Sequence, residues 1–244
     1  MVASTEAVDA LTSLTQEFPD ELRYQMSLSR ALRQRAEASL SAVRPVRERM
    51  KQPRTIAGAR DDLDQSTKIL ERLSSQHPNN QSIRYELAKT LSVIAFQPIG
   101  QSGRASQRGR LLKSQKLADD LLTDSPDTPR YLALKAHALG QMASIRRIQD
   151  QTDEELRLLL DQLEIQKRLL LGSPELSQYQ IKLAQTIEQL SDVYVLKGQR
   201  ELAIRYLRQA TESLSKIASS QAADVKLMQL NRKLTGLKRD PRPK

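Results

Sequence analysis

IEQLSDVYVLKGQRELAIRYLRQA, residues 187–210, is the stretch on which the fold turns. Ile187, Leu190, Ser191 and Tyr194 recur at steps of three and four, the spacing of one face of an α-helix, and the pattern then breaks at Gly198. Glycine is the residue that most readily closes a helix. Beyond it Ala203, Leu207 and Ala210 restart the same spacing, with small residues where two helices would cross and Tyr194 and Leu207 filling the space between them. The stretch predicts a helix hairpin.

Working outward, the hairpin is the last of four segments that align on a proline, at Pro19, Pro78, Pro126 and Pro174, with the last two steps each 48 residues and the first 59. Five residues after each proline stand Tyr24, Ile83, Tyr131 and Tyr179, and nine after stand Leu28, Leu87, Lys135 and Leu183. Thirteen after stand Leu32, Leu91, Leu139 and Ile187, and seventeen after stand the small residues Ala36, Ala95, Ala143 and Ser191. Offsets that step by four describe a helical face with a small residue at its end, where a neighbour can approach. A second amphipathic segment runs ahead of each proline, so each proline is expected at the first-turn position of the following helix, where its missing N–H costs nothing. The pattern predicts about ten helices, with residues 3–17 a second helix lacking its first, and 222–236 a first helix lacking its second.

Ile187, Leu190, Ser191, Tyr194, Gly198, Ala203, Leu207 and Ala210 fall on the characteristic positions of the tetratricopeptide repeat (TPR), which this segment resembles. Ile187 stands for the usual Trp, Ser191 for Gly and Leu207 for Phe, while the terminal proline position holds Ser215. The first three units depart further, with no glycine at the hairpin turn. The resemblance implies an all-α, right-handed α-solenoid of about five TPR-like hairpins with elongated helices over residues 1–236, and a basic tail over 237–244. The long repeat, with the phrases YQIKLAQTIEQL (179–190) and KGQRELAIRYLRQA (197–210), also resembles the degenerate repeats of bacterial signalling proteins, such as the C-terminal parts of some serine/threonine kinases, and implies a non-catalytic scaffold or a detached piece of such a protein.

The composition agrees with helices: aromatic residues are only 3%, Trp is absent, and Leu, Ala, Gln, Arg and Glu dominate. With no cysteine, disulfides, thiolate chemistry and the common zinc sites are excluded. No nucleotide loop, zinc-protease or serine-hydrolase motif occurs, so neither a catalytic residue nor a metal or cofactor is expected. The N-terminus lacks a basic stretch followed by an apolar run, and no window approaches a membrane span, so a cytoplasmic protein is expected.

The formal charge of +10 is unevenly placed. Residues 41–60, 97–116 and 226–244 together hold 18 cations and two acids, leaving 21 cations and 27 acids elsewhere. The basic character is therefore expected in an insertion over 41–60, a flexible Gly/Ser/Arg loop over 97–110, and the tail. Those segments are the candidates for phosphate contacts, and make nucleic acid the second choice of partner after a protein or peptide. For the first choice, the phase of the fourth unit places Arg30, Arg33, Lys89, His137, Gln141, Gln185, Glu188 and Asp192 on the groove that stacked first helices form, running from basic to acidic.

Overall fold

The offsets read from the sequence come out as buried stripes. Leu32, Leu91, Leu139 and Ile187 are all buried, as are Ala36, Ala143 and Ser191 at the small-residue position. Tyr131 and Ile83 are fully enclosed, whereas Tyr24 and Tyr179 at the same offset are half-buried. The structure is a computed structural model that describes residues 2–42, 53–94, 101–172, 177–215 and 221–239. Pro174, Ala95, residues 43–52 and 97–100 of the basic segments, and 240–244 of the tail lie outside these residues.

Ten helices and no strand are found among the described residues: α1 (Val2–Glu17), α2 (Leu22–Ala42), α3 (Pro53–Gln76), α4 (Gln81–Ile94), α5 (Gln101–Asp124), α6 (Pro129–Ile148), α7 (Thr152–Gly172), α8 (Ser177–Leu196), α9 (Arg200–Ser215) and α10 (Gln221–Arg239). No helix among them is long and apolar enough to cross a membrane. The chain forms two compact units, residues 1–121 and 122–244. In the first, α1 packs on α2, α2 on α3, α3 on α4, and α2 also touches α4. In the second, α6 to α10 pack in succession, and α8 also touches α10. The second unit has one continuous core, running through Leu139, Leu159, Leu190, Leu207 and Leu230. The first divides its buried apolar residues among smaller clusters around Leu87, Leu63 and Leu32. Short hydroxyls fill the helix crossings there: Ser66 donates to the Ser29 carbonyl at 2.9 Å, and Ser114 of α5 to the Ala88 carbonyl of α4 at 2.7 Å.

The three repeat prolines among the described residues do not start helices. Pro19, Pro78 and Pro126 each occupy the second position of a β-turn, closed by Glu21 N–H to Phe18 O at 3.2 Å, Asn80 N–H to His77 O at 3.0 Å and Thr128 N–H to Ser125 O at 3.3 Å. Proline's fixed φ suits that position, and its absent N–H is not needed there. The following helix begins three residues later, in the second unit with Pro129 at the first helical position. Asn80 then caps α4, its Oδ1 accepting from Ser82 N–H at 3.0 Å and Ile83 N–H at 3.2 Å.

The α8–α9 hairpin closes as the sequence implies. Gly198 adopts φ 73°, and Gln199 N–H reaches back to Tyr194 O at 2.8 Å, the six-to-one bond of a Schellman cap. Ala203, Leu207 and Ala210 are buried, and Tyr194 stacks on Tyr206 with ring centroids 5.5 Å apart.

Residues 101–110, expected as part of a loop, are instead the first turns of α5. The apolar period that anchors this helix begins only at Leu111 and continues through Ser114, Ala118 and Leu121, all buried. Upstream of Leu111 the sequence QSGRASQRGR offers no large apolar residue from which a period could be read. Each glycine costs a helix only about 1 kcal/mol, which the neighbouring Arg, Gln and Ala residues tolerate.

Candidate functional site

Side chains expected on the groove meet others in two places, one in each unit, and in both the meeting is between successive first helices. In the first unit Arg30 and Arg33 project from α2 toward α4. Arg30 Nε donates to Glu86 Oε1 at 2.7 Å, and Arg33 Nη2 to Glu86 Oε2 at 3.1 Å. Arg33 Nη1 also reaches Glu37 at 3.0 Å. Arg33 is only 3% exposed, so its charge is tolerated because both terminal nitrogens are matched by carboxylate oxygens. It is therefore not a free ligand group. Lys89 lies one turn along α4, its ammonium 6.0 Å from the Tyr85 ring. Beside this network is an open cleft of about 450 Å³, lined by Leu22, Arg23, Met26, Ser27 and Arg30 of α2 and by Ser82 and Ile83 of α4.

The second unit repeats the plan with the charges reversed. Glu188 of α8 pairs with Lys226 of α10, and its backbone carbonyl accepts from Lys233 Nζ at 3.2 Å. Lys233 also pairs with Asp192 at 2.6 Å. An equally large cleft of about 450 Å³ lies alongside, lined by Ile181 and Gln185 of α8 and by Gln221, Ala222, Val225, Lys226 and Gln229 of α10. His137 and Gln141, one turn apart on α6, approach each other at 3.4 Å without lining this cleft, and His137 is exposed.

Of the eight residues, Arg30 and Gln185 line the clefts, while Arg33, Glu188 and Asp192 are chiefly ties between helices. The sequence reading missed Glu86, Lys226 and Lys233 because it projected each helix onto the groove separately. Opposite charges on successive first helices, Arg30 and Arg33 against Glu86, or Glu188 and Asp192 against Lys226 and Lys233, were the available signal. Among the described residues no group of three or more His, Cys, Asp or Glu could hold a metal ion. The clefts offer amide, hydroxyl and guanidinium groups around small apolar floors, which suits reversible contact with another side chain.

No family model matches the chain, and no curated protein does. Among solved structures, the chain is similar to the thermophilic TPR protein TTC0263 of Thermus thermophilus, at 16% identity over 74% of this chain and 92% of that one, with a TM-score of 0.39. It is also similar to the de novo designed helical repeat protein DHR64, at 13% identity over 88% of this chain and 94% of that one, with a TM-score of 0.27. Yeast Tom70 aligns at 11% identity over 96% of this chain and 58% of its own, with a TM-score of 0.23.

Proposed function

We propose that this chain is a non-catalytic interaction scaffold that receives a peptide or protein segment in the clefts between successive first helices. The observation that carries the reading is the repetition: α2 with α4, and α8 with α10, each leave an open cleft of about 450 Å³ beside an inter-helix ion-pair network. Such a volume accommodates one or two side chains of an extended or helical ligand. The ion pairs fix the helix spacing that defines each cleft, and the cleft walls remain open to solvent. Polar amides at Gln185, Gln221 and Gln229 can pair with a ligand backbone, while Ile181 and Val225 take its apolar side chains.

The reading is tested by selecting peptides from a display library on the full chain and measuring their affinity for cleft-filling variants. Ser27→Arg obstructs the first cleft and Val225→Arg the second, both at positions that are not part of a core. A cleft ligand is expected to lose about tenfold or more in affinity with one of the two, at unchanged helix content. Selected peptides indifferent to both would refute the cleft reading.

A further inference from the structure

We propose that the outward face of α5 in the first unit, along the line Arg108, Leu112 and Lys116, docks an acidic amphipathic helix of a protein partner. This surface has no residue in common with either cleft, and it shares with the scaffold reading only the class of partner.

The three side chains stand at i, i+4 and i+8, so they follow one face in steps of about 6 Å. Arg108 and Lys116 are exposed, and Leu112 between them is 45% exposed. Helix α5 is held from its other side: Arg110 pairs with Asp64 of α3 at 3.2 Å, and Lys113 with Glu71 of α3 at 2.6 Å. Among the described residues, Arg108 and Lys116 have no such partner.

The cations of α5 stand close together. Arg108, Arg110, Lys113 and Lys116 follow one another along the middle of the helix without an acid among them. Like charges three or four residues apart on a helix repel, as Arg110 with Lys113 and Lys113 with Lys116 do, so anions beside these cations favour the helix. Asp64 and Glu71 meet that need for two of them. An external acid would meet it for Arg108 and Lys116, and local rules of stability are most often broken where a partner restores them.

Leu112 separates a protein from a nucleic acid as the source of the anions. A phosphodiester backbone has nothing apolar to set on an exposed leucine, whereas a helix reading Glu-x-x-x-Leu-x-x-x-Glu matches the line charge for charge with its leucine on Leu112. The line also carries no aromatic side chain on which a base could stack.

The probe is a fluorescein-labelled helical peptide containing that Glu-x-x-x-Leu-x-x-x-Glu line, titrated with the full chain and followed by anisotropy. Leu112→Ser and the double reversal Arg108→Glu with Lys116→Glu are each expected to weaken binding by about tenfold or more. Val225→Arg, which obstructs the cleft of the second unit, is expected to leave peptide binding unchanged, so failure here and failure of the cleft reading are separable. Because all three side chains are exposed, circular dichroism should report native helix content in every variant. No binding by the peptide, or equal binding by Leu112→Ser, overturns the proposal. So does a short duplex DNA that binds more tightly than the peptide and ignores Leu112→Ser, since that result would make the face a phosphate surface.

Discussion

Asp150 stands 48 residues before Gly198, and the two share one role. Asp150 has φ 55°, and Gln151 N–H reaches back to Arg146 O at 3.0 Å, closing α6 with the same six-to-one bond that Gly198 provides for α8. The third unit thus keeps the hairpin turn that its lack of glycine argued against. A side chain in this conformation costs about 1–2 kcal/mol, and aspartate is among the few residues that accept it. Gly198→Ala is therefore expected to destabilise the chain by about 1 kcal/mol, although a Cβ there would meet no atom within 4 Å. Asp150→Gly should instead be neutral or stabilising by several tenths of a kcal/mol, since relieved strain competes with greater unfolded-chain freedom. Chemical denaturation of the two variants decides the signs. Tyr194 carries a pH signature in the same hairpin: burial, and then the neighbouring Tyr206, push its phenol up to about 12. The folded state thus favours the neutral form more than the unfolded chain does, whose tyrosine titrates near 10. This contribution to stability is intact below about pH 10 and is lost as pH rises toward 12. Relative to Tyr194→Phe, the wild type should lose up to about 2 kcal/mol across that window, as read from paired denaturation curves.

At the scale of elements, legibility followed periodicity. Helices α2, α4, α6 and α8 were readable because Leu32, Leu91, Leu139 and Ile187 repeat a buried position at a constant offset. The start of α5 was hidden because its first ten residues, QSGRASQRGR, carry no large apolar side chain from which a helical period could be read, although the backbone there is helical. Pro19, Pro78 and Pro126 were visible as markers, but their place was misread by three residues, because a β-turn and a first helical turn both accept proline's φ. The clefts were partly legible, since the offsets found one wall of each while the opposing wall depends on which helix packs on which. That dependence can be tested by exchanging charges between α8 and α10. Lys226, 8% exposed, ties α10 to Glu188 of α8. Lys226→Glu would set two carboxylates against each other in a poorly hydrated contact and is expected to cost about 2–4 kcal/mol. Adding Glu188→Lys restores opposite charges and should recover at least half of the loss, giving a coupling energy well above the scatter of independent sites. Thermal denaturation of the single and double variants measures it, and additive losses would mean that the tie contributes little to holding α10.

At the scale of the whole molecule, the two units distribute their apolar burial differently. In residues 122–244 the buried side chains form one cluster that touches all five helices α6 to α10, so opening any helix exposes part of a shared core. In residues 1–121 the buried apolar residues fall into distinct clusters around Leu87, Leu63 and Leu32, the first and last linked through half-buried Ile69, and α2 and α3 are joined across them by polar ties. Arg35 makes such a tie, with both guanidinium arms on Asp62 at 2.8 and 2.6 Å; the hydrogen bond to Asp62 holds its proton still more firmly than usual. Polar ties of this kind fix the register of helices but release little free energy when formed, because both charges are dehydrated in making them. Local opening is governed by how much apolar contact a segment shares with the rest. Hydrogen exchange followed by mass spectrometry should therefore find the slowest amides in α7, α8 and α9, with α1 and α3 exchanging measurably faster under native conditions. Leu190→Ala, at a fully buried position in the shared core, should cost about 3–5 kcal/mol and speed exchange across α7 to α9 together. Leu63→Ala, equally buried in a small cluster, should speed exchange chiefly in α2 and α3 and leave α7 to α9 protected. Equal protection in the two units, or a Leu63→Ala effect that spreads to α8 and α9, would show that the chain opens as one cooperative body despite its divided cores.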